Sequence, residues 1–334
     1  MIGRIPHWFL IVGIVTIAFG CDNVSWGGMD LSLEGPPGDT VPSVAGGSVG
    51  DPAPLPQIGP LLYAAVRQGD SAFVVPVGGL TDQGLQPLPP GDLGEALGDR
   101  ILEDRLRPGT ELTLFHEGIR AGTLVVDGPG SISSDYCSPR PETRGVLELV
   151  PGAIDAQRFL ALEKPQGMQR PFGTFESLTI ARAHRIAIQN LAGEALNEVG
   201  AQWPGSLEDI RQDFQVFLLP EEEGPSVVAS FIHQDRLGVS PAPENAYSLL
   251  VLGEAAETRW QRTFTWFRPV SEEGKGAPRF FSHLDWDDDG FDEILLEVFG
   301  SESRWWAALG REDGEWRVTF QDPCGMPGTG EGSQ

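Results

Sequence analysis

Apolar residues along the chain recur mostly in short runs bounded by turn residues. Residues 61–66 and 72–77 are two such runs, each ended by turn formers, and residues 111–115 and 122–126 read as a strand pair turning near Glu117-Gly118. Residues 146–150 form another short run ahead of Pro151-Gly152, whereas the Pro- and Gly-rich stretch 87–99 reads as loop. The pattern changes at residue 176. From 176 to 192 there is no Gly or Pro, and Leu178, Ala181, Ile188, Leu191, Ala195 and Val199 fall near one face at helical spacing, which predicts a helix over 176–200. Leu178, Ile180, Ile186 and Ile188 also alternate in part, the mark of a strand. Ser206-Leu207-Glu208-Asp209 has the form of a capping box, and a short helix is expected over 206–214. Strand-like runs return at 227–232, 247–252, 260–267, 294–299, 305–309 and 316–320. Asp313-Gly314 stands between the last two as a hairpin turn would. The expected fold class is α+β, mainly antiparallel β with a short helical segment in the middle.

The first sixty residues follow a different rule. Residues 1–20 carry one basic residue, Arg4, and no acidic one, and residues 8–19 are apolar apart from Gly13 and Thr16. Twelve such residues are too few for a hydrocarbon layer that takes about 20, but they match the apolar core of a secretory signal peptide. The run ends Ala18-Phe19-Gly20-Cys21. It resembles the lipobox of bacterial lipoproteins, in which a small residue precedes the Cys that receives diacylglycerol; Ala18 stands where Leu is usual, and Phe19 is bulkier than the usual residue. Ala18-x-Gly20 equally satisfies ordinary signal-peptidase cleavage. After Cys21 the chain is rich in Gly, Pro, Ser and Asp up to residue 60, a composition that buries too little surface to fold and reads as a tether. The resemblance implies an exported, lipid-anchored protein of the cell envelope with the membrane as partner. Asp22, directly after the Cys, is the residue that in diderm bacteria can signal inner-membrane retention, so the leaflet stays open.

The domain plan is therefore a signal peptide (1–20), lipidated Cys and tether (21–60), a β-rich domain (61–155), a mixed or helical segment (156–215), an antiparallel β domain (216–322) and a disordered Gly-rich tail (323–334). There are three cysteines. With Cys21 acylated, Cys137 and Cys324 remain either as a disulfide, which an oxidising compartment permits, or as two separate buried thiols. The net charge of −25 repels phosphate backbones and excludes nucleic acid as a partner.

One segment carries recognisable chemistry: Asp285-Trp286-Asp287-Asp288-Asp289-Gly290-Phe291-Asp292-Glu293. Asp285, Asp287 and Asp289 fall at loop positions 1, 3 and 5, Gly290 allows the sharp turn at position 6, the Phe291 carbonyl stands at position 7 and Glu293 at position 9. Such a series of oxygens suits Ca2+, which takes six to eight. An EF-hand would need Glu at position 12, where Leu296 stands, and the flanks read as strands. The segment resembles the calcium loops of FG-GAP and integrin-type β-propeller repeats, with Glu293 in place of the final Asp and a single copy present. The implied unit is a calcium-stapled β hairpin with a structural ion; the alternative is an acidic, solvated turn.

His116-Glu117 does not continue into a zinc motif, Gly274-Lys275-Gly276 lacks the spacing of a phosphate loop, and there is no Gly-x-Ser-x-Gly elbow. Trp260, Trp266, Trp286, Trp305, Trp306 and Trp316 cluster late in the chain, either as core or as an exposed sugar-stacking surface. The expected function is non-enzymatic binding or scaffolding toward a protein or glycan of the envelope. A carbohydrate-binding module using those Trp residues and an envelope hydrolase are the alternatives, so the question of enzymatic activity stays open.

Overall fold

The computed structural model describes residues 57–326 except 171–172, 176–177 and 258. Residues 1–56, with the expected signal peptide, Cys21 and nearly all of the tether, lie outside the described residues, as does the tail from 327 onward. The architecture is mainly antiparallel β with a few helices. Its first part comprises β1 (Leu61–Gln68), β2 (Ser71–Thr81), β3 (Gly84–Gln86), α1 (Gly91–Asp104), β4 (Glu111–His116), β5 (Ile119–Val126), β6 (Ser131–Ser133), β7 (Arg140–Leu149) and β8 (Arg158–Glu163). These strands form one sheet in the order β3-β2-β1-β8-β4-β5-β7-β6, and a further pairing of β2 with β7 closes six of them into a barrel. Closure removes the open edges that a six-stranded sheet would otherwise present.

Side chains alternate across the barrel wall as the pleat requires. Leu61, Tyr63 and Ala65 of β1 pack inward with Leu112, Leu114, Leu124 and Phe159, while Leu62 and Ala64 face out toward a second core. The stretch 87–99, expected to be loop, instead contributes most of α1. Gly94 and Gly98 inside that helix cost roughly 1 kcal/mol each. Burying Leu97 and Ile101 in the barrel core gains about 1.5–3 kcal/mol each and decides the outcome. β8 lies past residue 155, and its pairing with β1 on one side and β4 on the other completes the wall.

The chain continues through α2 (Lys164–Gly167), α3 (Arg182–Val199), α4 (Leu207–Ile210), β9 (Arg211–Leu218), β10 (Pro225–His233), β11 (Tyr247–Ala255), β12 (Trp260–Pro269), α5 (Val270–Glu273), β13 (Ala277–Leu284), β14 (Glu293–Phe299), β15 (Arg304–Glu312) and β16 (Glu315–Gln321). The Ser206 Oγ accepts from the Asp209 amide at 3.4 Å, as a cap should, but the helix stops at Ile210. From Arg211 the chain pairs with β10 as β9, placing Val216 in a core with α3. α3 begins at Arg182, so Leu178 and Ala181 precede it, and Val199 is exposed. Its buried stripe is Ile188, Leu191, Ala192, Ala195 and Leu196.

β9 to β12 form a second four-stranded sheet, and β13 to β16 a third. The layers stack α3, second sheet, third sheet, barrel wall. Val227, Ala229 and Phe231 of β10 face α3. Val228 faces the third sheet, meeting Ile294, Leu296 and Trp305. Leu295, Trp306 and Ala308 on the opposite face of the third sheet meet Leu62, Phe115 and Leu160 of the barrel. β13, β14 and β15 are thus buried on both sides and largely apolar for that reason, while β16 at the sheet edge is mostly exposed. Among the described residues no helix is long and apolar enough to cross a membrane.

Candidate metal centre

The acidic loop joins β13 to β14, two antiparallel neighbours in the buried third sheet. The middle of the loop, residues 287–291, is exposed, and its ends are buried. Trp286 turns inward and packs between barrel and sheet, 4% exposed; Asp292 also turns inward, its carboxylate 2.5 Å from Nδ1 of the fully buried His283. These two residues anchor the ends of the loop, so Asp285, Asp287 and Asp289 are presented by a fixed frame.

The turn itself is made by left-handed backbone at Asp288 (φ 69°) and Gly290 (φ 95°); glycine suits the second because it has no Cβ to clash. The Asp285 carboxylate accepts from the amides of Asp288 at 2.6 Å and Gly290 at 3.1 Å. Asp289 accepts from the Phe291 amide at 2.8 Å and Asp287 from the Asp289 amide at 3.3 Å. One oxygen from each of Asp285, Asp287 and Asp289 lies within 4.8 Å of the others.

Charge is poorly balanced there. Burial first, and then the neighbouring Asp289, raises the Asp287 carboxyl above its ordinary range. Glu293 is buried beneath the loop, its Oε2 accepting from the Trp286 amide at 3.2 Å. Burial, reinforced by the charges of Asp287, Asp289 and Asp285, pushes its carboxyl up to about 9. Among the described residues one cation pairs with the loop, Arg170, just after α2, with its guanidinium 3.4 Å from Asp285 and 2.8 Å from Asp288.

Of the residues singled out in the sequence, Asp285, Asp287 and Asp289 converge. Glu293 adjoins them from below but spends one oxygen on the loop backbone. Phe291 has an exposed side chain and an amide committed to Asp289. Arg170 was not visible as a partner, since nothing in its own neighbourhood marks it. His283 stands two residues before the acidic loop, which hints at proximity but not at the buried bond with Asp292. The donor set is entirely oxygen, which fits a hard cation such as calcium, and it lacks the nitrogen and sulfur ligands typical of zinc.

The cysteines meet at a separate place. Cys137 and Cys324 are disulfide-bonded, with Cα atoms 6.3 Å apart. Close by, Arg140 is 1% exposed and donates to the carbonyls of Pro76 and Val77 and, at 2.5 Å, to Asp322; the other Asp322 oxygen accepts from the Trp306 amide at 3.0 Å. This seam ties the barrel to the end of the third sheet. Residues 323–325 form a helical turn here, with the Gly325 carbonyl accepting from Arg268, so the tail expected to be disordered from 323 is held at least to Met326.

Comparison of the chain with protein-family models, with curated proteins and with solved structures found no match in any of the three.

Proposed function

We propose that this is an exported, lipid-anchored envelope protein whose body has a non-enzymatic binding or scaffolding role and is stapled by a structural calcium ion. The observation that carries the reading is the pairing of Cys137 with Cys324. It leaves Cys21 as the one cysteine of three without a disulfide partner, at the position that resembles a lipidated lipobox Cys. A structural disulfide belongs to an oxidising compartment, so the bridge and the apolar run ahead of Cys21 support the same destination by independent arguments. Calcium would be held by Asp285, Asp287 and Asp289, with further oxygens from Phe291 and Glu293, and would fix the β13–β14 turn.

A carbohydrate-binding role for the late Trp residues is the weaker reading. Trp286, Trp305, Trp306 and Trp316 are each 5% exposed or less and belong to the cores, leaving Trp260 and Trp266 half-buried. The anchor is tested by metabolic labelling with a radioactive fatty acid in a bacterial host. Label should enter the wild-type chain and be lost in Cys21→Ala, with the body released from membranes. Labelling that persists in the variant, or is absent from the wild type, contradicts the reading.

A further inference from the structure

The second sheet ends at β12, and among the described residues no strand pairs with its outer side. An unpaired edge presents a row of backbone donors and acceptors, and proteins commonly guard such edges. β12 is guarded unevenly. Pro269 closes its far end, and a register shift between Leu252 and Gly253 of β11 sets Arg262 and the residues before it off from the rest of the strand. Such a bulge re-aims the chain that follows it.

Residues 259–262 form one wall of a groove of about 690 Å3. The other wall is α3, through Ile186, Asn190 and Glu194 on one stripe. Leu191 is the floor. It reaches so close to Gly253 that a Cβ there would lie 2.2 Å from its Cδ1. That contact seats α3 on the face of β11, beside β12. Ile186 is 46% exposed and Trp260 half-buried, so the groove offers apolar surface beside a free backbone edge.

Charge selects the occupant. The chain as a whole carries −25, yet the groove is lined by Arg259 and Arg262 against one carboxylate, Glu194. Arg262 is ion-paired with Glu198 of α3, while Arg259 is exposed at the groove mouth. A strand-edge groove with an apolar wall and a cationic mouth has the features by which extended peptides are recognised: main-chain pairing gives affinity, and alternate side chains give specificity.

We infer that the groove between α3 and the outer edge of β12 binds an extended peptide that pairs along residues 260–262, lays an apolar side chain against Ile186 and Trp260, and sets an acidic side chain on Arg259. This gives the binding role proposed above a partner class and rests on that reading. The anchor assay reads lipid on Cys21, whereas the test here uses purified body, so the two can fail separately.

The probe is a phage-displayed library of random twelve-residue peptides selected on the purified protein, with the enriched peptides then synthesised and titrated. Enrichment of sequences that alternate apolar residues around one Asp or Glu is expected. Arg259→Glu should weaken them at least tenfold, and Ile186→Glu likewise, both variants keeping the wild-type melting temperature within a few degrees. Bound peptide should also slow hydrogen exchange at the amides of residues 260–262. No enrichment, enrichment of basic peptides, or acidic peptides whose affinity and exchange footprint ignore both variants overturns the inference. So does self-association through β12, seen by light scattering as a dimer that Ile186→Glu dissolves.

Discussion

Two of the polar junctions between the third sheet and the barrel solve the same electrostatic problem in opposite ways. At the Arg140–Asp322 seam each buried charge has one opposite partner, every Asp322 oxygen is hydrogen-bonded, and a disulfide closes the join beside it. At the acidic loop four aspartates share one arginine, and a buried glutamate lies below them. The first junction is balanced in charge within the chain. The second has more negative charge than the protein itself neutralises, and close carboxylates repel unless a cation joins them. The comparison teaches that a charge-rich sequence segment is read best by what faces it: balanced partners mark a structural lock, and an excess of one sign marks a place for something from outside.

Breaking the lock should have the largest effect. Arg140→Ala strips the partner from a buried carboxylate and should cost about 3–5 kcal/mol in urea unfolding. Arg140→Met combined with Asp322→Leu should recover a large part of that loss, since no charge is then left buried alone. If the double variant is as unstable as the single one, the ion pair is not what the seam depends on.

Removing the disulfide comes next. Cys137 and Cys324 are separated by 187 positions, and replacing both by Ser should cost about 2–5 kcal/mol, because the unfolded chain gains the freedom the cross-link denied it. Unchanged denaturant midpoints in oxidised and reduced wild type would contradict this.

The loop should respond to its ion instead. Calcium at a hundred times its dissociation constant stabilises the folded state by about 2.7 kcal/mol. A chelator should therefore lower the melting temperature, and magnesium should restore it poorly because it demands a tighter octahedral shell. Asp287→Ala should reproduce the chelated state in the presence of calcium. At the Arg140–Asp322 seam, by contrast, neither calcium nor chelator should alter hydrogen exchange.

The smallest effect concerns Arg170. Its pair with Asp285 is partly buried and its pair with Asp288 is open to solvent on the carboxylate side, and exposed pairs contribute roughly 0–1 kcal/mol. Arg170→Gln should change calcium-free stability by no more than that, while tightening calcium binding, since it removes a positive charge competing for Asp285. Weaker calcium binding in this variant would mean that Arg170 supports the loop geometry instead.

Much of the antiparallel β character could be read from the chain because neighbouring strands are also neighbours in sequence. β9 to β12 and β13 to β16 each pair in chain order, though in β16 only Trp316 and Phe320 are buried and Val318, expected on the same face, is exposed. The barrel was not readable. Its closure depends on β8 meeting β1 and β4, and on β2 meeting β7, pairings that no local pattern announces. α1 was hidden because Gly94 and Gly98 weaken a helix whose justification, the packing of Leu97 and Ile101, comes from distant strands. At the acidic loop the convergence of Asp285, Asp287 and Asp289 was legible because they lie within five residues of one another. Arg170, and the partnership of Arg140 with Asp322 across 182 positions, were not.

The most direct test of the contrast between the two junctions is a calorimetric titration of the purified, chelator-treated protein with calcium, set beside Asp285→Asn. One saturable site is predicted for the wild type, much weakened in the variant, with the bound ion raising the melting temperature of the wild type alone. Absence of saturable heat together with an unchanged melting temperature would show that the loop tolerates its excess charge unaided, and would contradict the account.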